Sequence, residues 1–115
     1  MTPAIFALLL ALHDGEHHGY ALMGEVGELT GGTVVLGPAT LYRSLQRMRV
    51  DGLIEELDAE HDGEPARADR RAERRRSYRI TPDGRAAARA EANRLARLVD
   101  AASALGVLAG ERTRP

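Results

Sequence analysis

Residues 37–54 carry the side chains of this chain that are best suited to binding chemistry. In their sequence, GPATLYRSLQRMRVDGLI, the spacing of Leu41, Leu45 and Met48 predicts a helix with one apolar face. The opposite face has no acid; its members are Ala39, Tyr42, Arg43, Gln46, Arg47 and Val50, with Thr40 and Arg49 at its margins. Because arginine and glutamine donate paired hydrogen bonds to base edges, this face is suited to the major groove of DNA. Tyr42 and Gln46 are the predicted base readers, and Arg43 and Arg47 fit either bases or phosphates.

Charge is strongly segregated along the chain. The formal net charge of -1 by itself argues against a nucleic-acid partner. However, residues 51–64 hold seven acids and no arginine, whereas residues 67–85 hold eight arginines and three acids. A local field decides where a polyanion binds, so the basic stretch favours nucleic acid. All 16 basic residues are arginine, whose planar fork binds phosphate and guanine in a bidentate way.

The arginines of the basic stretch allow two interpretations. Arg74, Arg75 and Arg76 fit contacts to phosphates or the minor groove. They also fit a solvated charge run tied to the acids of residues 55–64. The two interpretations are compatible if the acids form ion pairs with the arginines in the free protein and DNA displaces the acids on binding.

Length and composition restrict the class of protein. A chain of 115 residues forms one domain with a small core, or a core plus an arm. With no cysteine there is neither a disulfide framework nor a thiolate site. The longest apolar run, residues 4–12, is too short to span a bilayer, and we expect no signal peptide before the first helix. We therefore expect a soluble, cytoplasmic protein without membrane contact.

The order of predicted elements indicates the fold class. Helices are predicted over residues 3–13, from about 19 to 29, and from Pro38 to near Gly52, where glycine suits the exit. Residues 33–36 form a β-prone link, and residues 53–57 and 77–80 form a hairpin whose tip, residues 58–73, is predicted to be mobile. A helix capped by Thr81 follows and runs to about Leu108. This order is mainly α with a small β wing, a winged helix-turn-helix plus a long C-terminal helix.

The long final helix predicts a second copy of the chain as partner. Its apolar stripe consists of Leu95, Leu98, Val99, Ala102 and Leu105. Three short helices are too few to bury such a stripe. We expect a homodimer joined by residues 81–110, with residues 1–80 as the DNA-binding domain and residues 111–115 as a flexible tail.

Three segments carry a resemblance to a known family: LLLALHDGEHHGYALMGEV, LTGGTVVLGPATLYRSLQRMRVDGLI and RRRSYRITPDGRAAA. Through them the chain resembles the PadR family of bacterial transcriptional regulators, especially its short members with a single C-terminal helix. The resemblance implies a homodimer on a double-stranded operator with an inverted repeat, usually a repressor, released in many members by a small-molecule effector. It also implies that Tyr20 touches phosphate, that Thr40 and Tyr42 enter the major groove, and that the arginines before Tyr78 are wing contacts.

Other functions receive less support from the residues. His13, Asp14, Glu16, His17 and His18 include ligand types for zinc or nickel, but a turn with exposed imidazoles explains them better, so no metal or other cofactor is expected. The final helix carries no aromatic side chain, which favours simple packing over stacking of a planar effector. No nucleophile has an adjacent base, so an enzyme is not expected. The alternative from another class is a winged-helix protein-protein interaction module without sequence-specific DNA binding.

Overall fold

The computed structural model describes residues 1–57 and 76–108. Within them the chain forms four helices and three strands, in the order α1 (Pro3–Ala11), β1 (His17–His18), α2 (Gly19–Leu29), α3 (Pro38–Val50), β2 (Ile54–Leu57), β3 (Ser77–Ile80) and α4 (Pro82–Ala104). The expected fold class, mainly helical with a small β wing, is confirmed. The predicted mobile tip, residues 58–73, and the predicted tail, residues 111–115, lie outside the described residues.

Helix α1 is apolar on several sides, and the other three helices pack around it. Its first turn is closed by Thr2, whose hydroxyl accepts a hydrogen bond from the Ile5 amide at 3.1 Å. Leu8 and Leu9 are fully buried, because α1 packs against α2, α3 and α4. It ends at Ala11, two residues before the predicted end.

The connection from α2 to α3 is irregular, so the predicted β-prone link at residues 33–36 is wrong. The Thr30 hydroxyl donates to the Val26 carbonyl at 2.8 Å and accepts from the Val34 amide at 3.1 Å. Gly31 and Gly32 adopt φ of 62° and 84°, which favours glycine. These local bonds engage both backbone groups of Val34, and among the described strands none pairs with the link. Helix α2 itself has the predicted bounds.

The core is formed where the first three helices meet the sheet. Its largest fully buried side chains include the three predicted apolar positions of α3; the full set is Leu8, Leu9, Leu12, Leu22, Val26, Leu41, Leu45 and Met48. Burying one leucine stabilises the fold by about 1.5–3 kcal/mol. Leu29, the last residue of α2, is exposed. The core therefore fixes α3 from its apolar side and leaves the opposite side outward.

The wing has three strands, where the sequence predicted two. Strand β3 lies in the centre, antiparallel to both β1 and β2. In this register Tyr78 lies opposite His17 on one side and Glu56 on the other. The segment before α2, predicted to be only a turn, therefore supplies an edge strand. In addition, the Gly19 amide donates to the Arg76 carbonyl at 3.0 Å.

Helix α4 starts against the wing with the predicted cap. The Thr81 hydroxyl accepts from the Gly84 amide at 3.0 Å and donates to the Gly52 carbonyl at 2.7 Å. The Thr81 amide donates to the Leu53 carbonyl at 3.0 Å. The start of α4 is thus joined to the residues around β2 through both the hydroxyl and the amide of Thr81.

The far part of α4 extends away from the core. Only Gly84 and Ala88 are buried on this helix, which packs against α1 and β3 at its beginning. It ends at Ala104, four residues before the predicted end, and Gly106 follows with φ of 77°. No helix in the described part of the chain is both long and apolar enough to cross a membrane.

Candidate nucleic-acid interface

The outward face of α3 presents most of the predicted binding residues to solvent. Thr40, Arg43, Gln46 and Arg47 are all exposed, while Leu41, Leu45 and Met48 are buried behind them. No acid occurs between Pro38 and Val50. The face is therefore rich in hydrogen-bond donors and carries a positive charge.

Arg47 is held by an acid one turn further along. Its Nε lies 3.1 Å from Oδ2 of Asp51, and both side chains are largely exposed. An exposed pair at this spacing contributes only about 0.3–0.5 kcal/mol. A phosphate can therefore replace Asp51 at little cost.

Tyr42 does not face outward, so this part of the sequence interpretation is wrong. Its ring is half-buried against the core and points to the start of α2. A Cβ on Gly19 would lie 3.0 Å from Tyr42 Cε1 and 3.2 Å from Tyr78 Cε1. The ring fits because Gly19 has no side chain. A helical wheel places Tyr42 about 100° from Leu41, beside the apolar stripe, and this signal favours a flanking position over an outward one.

Tyr20 lies in the first turn of α2 and exposes 56% of its surface. His18, exposed beside it, is the N-cap residue of α2 and makes no side-chain capping bond. The position of Tyr20 near a helix N-terminus suits a phosphate contact.

The wing carries ion pairs between its strands. Arg74 and Arg75 lie outside the described residues. Arg76 is half-buried, and its Nε lies 3.0 Å from Oε2 of Glu56. Arg79 is paired with Glu55, with Nη2 and Oε2 3.0 Å apart. The predicted attraction between the acidic and basic stretches is thus present at the base of the hairpin.

Glu56 also binds the outward-facing helix α3, which the sequence interpretation missed. Its Oε1 lies 3.3 Å from Nη1 of Arg49, a residue placed only at the margin of the polar face. Tyr42, Gln46 and Tyr78 complete the lining of a small cleft around this pair and Arg76. The period-2 alternation of β2 was the available signal, because it directs Glu56 to the same side as the buried Ile54.

Tyr78 has the largest change in acidity at this site. Burial raises the pKa of Tyr78 to about 12, and the neighbouring Glu56 carboxylate adds to the increase. The Arg76 guanidinium acts in the opposite direction. Tyr78 therefore remains a neutral phenol at physiological pH.

Two histidines of the histidine-rich turn contact different partners. His17 Nε2 lies 3.5 Å from Oδ1 of Asp14, and His13 Nε2 lies 3.2 Å from Nη1 of Arg85. Across residues 1–57 and 76–108, no group of three or more histidine or acidic side chains is arranged to hold a metal ion.

The predicted dimer residues lie on the far part of α4. Leu98, Val99 and Leu105 expose 55%, 50% and 78% of their surface, and Leu95 and Ala102 are half-buried. This apolar stripe lies beyond the part of α4 that packs on the core.

A helix pair ending in an outward helix, a three-stranded wing and a long final helix together define a winged helix-turn-helix protein with a C-terminal arm. The model of the PadR-like family of transcriptional regulators matches residues 8–90. The chain belongs to this family, as its motifs predicted. The members of this family are transcriptional regulators and not enzymes.

Solved structures support the same fold. A transcriptional regulator from Clostridium thermocellum aligns with a TM-score of 0.67 and 22% identity, over 86% of this chain and 85% of that one. Bacillus subtilis PadR, solved in complex with operator DNA, aligns with a TM-score of 0.58 and 19% identity over 75% of this chain and 44% of that one. A PadR family regulator from Clostridium difficile R20291 aligns with a TM-score of 0.64 and 19% identity, over 87% of this chain and 96% of that one. At these identities the likeness is one of fold.

One curated protein is more similar in sequence. An uncharacterised 37.1 kDa protein of transposon Tn4556 from Streptomyces fradiae is 33% identical over 91 residues, which is 79% of this chain. The chain spans only 22% of the length of that protein.

Proposed function

We propose that this chain is a sequence-specific, DNA-binding transcriptional regulator that places α3 in the major groove of a double-stranded operator. The observation that carries the proposal is the outward face of α3, which exposes Thr40, Arg43, Gln46 and Arg47 without any acid between them. Side chains of these types read base edges and bind phosphates. The operator complex of the similarly folded Bacillus subtilis PadR supports the same use here.

The other contacts follow from the position of α3. Tyr20 and the arginines at 74, 75 and 76 are proposed to bind phosphates on either side of the groove. Tyr42 is proposed to set the angle between α2 and α3, because its ring fills the space at Gly19. Base reading then passes to Gln46 and Arg43.

The regulator is proposed to act as a homodimer on an inverted repeat, with residues 1–80 as the DNA-binding domain and residues 81–110 as the dimerisation helix. The exposed stripe on α4 supports this division. Repression, with release by a small-molecule or other effector, is the regulatory mode that the family resemblance implies. In vitro transcription from an operator-bearing promoter tests it, since a repressor lowers the transcript and an activator raises it.

DNA binding is tested by selecting bound duplexes from a random pool, followed by mobility-shift titration against heparin. Arg43→Ala or Gln46→Ala should relax sequence preference and cost about 1–3 kcal/mol on the best duplex. Arg75→Ala should weaken all duplexes alike and lower the salt slope by about one unit. Arg89→Ala, at an exposed arginine of α4, is the control and should change neither. If no duplex is enriched and heparin removes all binding, the chain is instead a protein-interaction module.

A further inference from the structure

The carboxylate of Glu56 lies between two guanidinium groups from different elements. Its Oε1 is 3.3 Å from Nη1 of Arg49 on α3, and its Oε2 is 3.0 Å from Nε of Arg76 in the wing. The Glu56 side chain is only 19% exposed, whereas Arg49 and Arg76 are 43% and 34% exposed. The acid is therefore shielded while the cations still reach solvent.

The cluster retains an excess of positive charge and of hydrogen-bond donors. Each guanidinium has five N–H donors, and Arg49 Nη1 lies 3.3 Å and Arg76 Nε 3.0 Å from the Glu56 carboxylate. Among the described residues, no second carboxylate lies within ion-pair distance of either arginine. Within the described part of the chain, two cations against one acid leave one unit of positive charge for an external anion.

The position of the cluster favours a DNA phosphate as that anion. Arg49 lies on the flank of α3 between the buried stripe and the outward face, beside Gln46 at the same cleft. If α3 enters the major groove, a backbone that borders the groove passes between this flank and the wing. Phosphate and carboxylate oxygens also bind guanidinium in the same geometry.

We infer that Arg49 and Arg76 form a binding site for one DNA phosphate and that Glu56 is a built-in counter-anion of this site. The inference rests on the proposed function. In the free protein Glu56 occupies both arginines, and the incoming phosphate takes over part of these contacts. Because this competition is the same at every sequence, Glu56 sets the overall affinity for DNA and leaves the sequence preference unchanged.

The test is Glu56→Gln in the full chain, titrated with the selected duplex and with a random duplex over a series of salt concentrations. The variant keeps the shape of the side chain and removes the competing charge. We expect both duplexes to bind about 8-fold more tightly at about 0.1 M salt, which is the scale of one phosphate contact, with the sequence preference unchanged.

Glu55→Gln is the matched control, because it removes the same charge from the neighbouring residue. Glu55 is half-exposed and pairs with Arg79 at 3.0 Å. Removing its charge therefore measures how DNA affinity changes when the protein loses one negative charge outside the cluster. We expect a gain of about twofold or less, since salt screens an exposed charge. In an Arg76→Gln background, Glu56→Gln should lose most of its advantage.

Thermal unfolding of each variant separates folding from binding. If Glu56→Gln does not fold, Arg49→Gln gives an independent test and should weaken both duplexes alike, with a slope lower by about 0.9. The inference is overturned if Glu56→Gln gains no more than Glu55→Gln, if it binds more weakly at an unchanged unfolding temperature, or if Arg49→Gln binds as the native chain does. Failure of the native chain to bind any duplex would instead reject the proposed function.

Discussion

At the scale of single residues, Gly84 is the position where the fold most clearly requires the absence of a side chain. A Cβ there would lie 2.8 Å from Ile80 Cγ1 and closer still to the Leu53 carbonyl oxygen. Gly84→Ala should therefore lower the free energy of unfolding by about 1–3 kcal/mol, as for other overpacked sites. Denaturant unfolding measures the change.

Gly24→Ala is the control for the glycine prediction. Gly24 lies in α2, and a Cβ added there would meet no atom within 4 Å, so alanine should stabilise the helix by about 0.5–1 kcal/mol. Equal stability of the two variants would show that the carbonyl of Leu53 moves away without cost.

Tyr78 predicts a loss of stability at alkaline pH. Because its pKa is raised to about 12, the folded protein holds the phenol proton more firmly than the unfolded chain does. The resulting stabilisation is complete below about pH 10, the ordinary pKa of tyrosine, and is lost as the pH rises towards 12. Tyr78→Phe should show a flatter fall in unfolding free energy over this range. Parallel profiles for the two proteins would contradict the assignment.

The site residues were predictable to the extent that they belong to one helix. The buried face of α3 and its exposed Arg43 and Gln46 follow from helical periodicity alone. The contact of Tyr42 with Gly19 and the ion pair of Glu56 with Arg49 join different elements. Periodicity within one element contains no information about such distances.

At the scale of elements, local chemistry predicted where most helices begin. Pro38 and Thr81 mark the starts of α3 and α4, since proline suits the first turn and the threonine hydroxyl caps it. Strand β1 was missed because two histidines are too few to show alternation. Its pairing is dictated by β3, some sixty residues further along the chain.

The stripe on α4 predicts how the proposed dimer can be broken. Leu98→Asp with Leu105→Asp should give monomers, because both side chains are exposed and apolar in a single chain. Sedimentation velocity at micromolar concentration measures the mass. Asn93→Asp with Ala104→Asp adds the same charge on the opposite side of the helix and should leave a dimer. A monomeric native chain, or a dimeric leucine variant, would contradict the interface.

At the scale of the whole molecule, the two-fold symmetry of a dimer predicts the layout of the operator. Two α3 helices that bind together require half-sites about one helical turn, roughly 10 bp, apart on one face of the duplex. Inserting about 5 bp turns one half-site to the opposite face, so affinity should fall towards that of a single half-site. Footprinting on both duplexes shows the effect. Equal protection of an isolated half-site and the complete repeat would argue against paired binding.

The arrangement of α4 makes it a lever. Its buried anchor ends at Ala88, and the helix continues to Ala104 over a further length of about 24 Å. A tilt of about 5° at the anchor displaces the far end by about 2 Å, at the rise of a regular helix. If two chains are joined at the far ends of α4, these ends are fixed, and the same tilt instead moves the two DNA-binding domains. The distance between the two wings then changes. A small adjustment around Gly84 and Ala88 would then change the spacing of the two α3 helices on the operator.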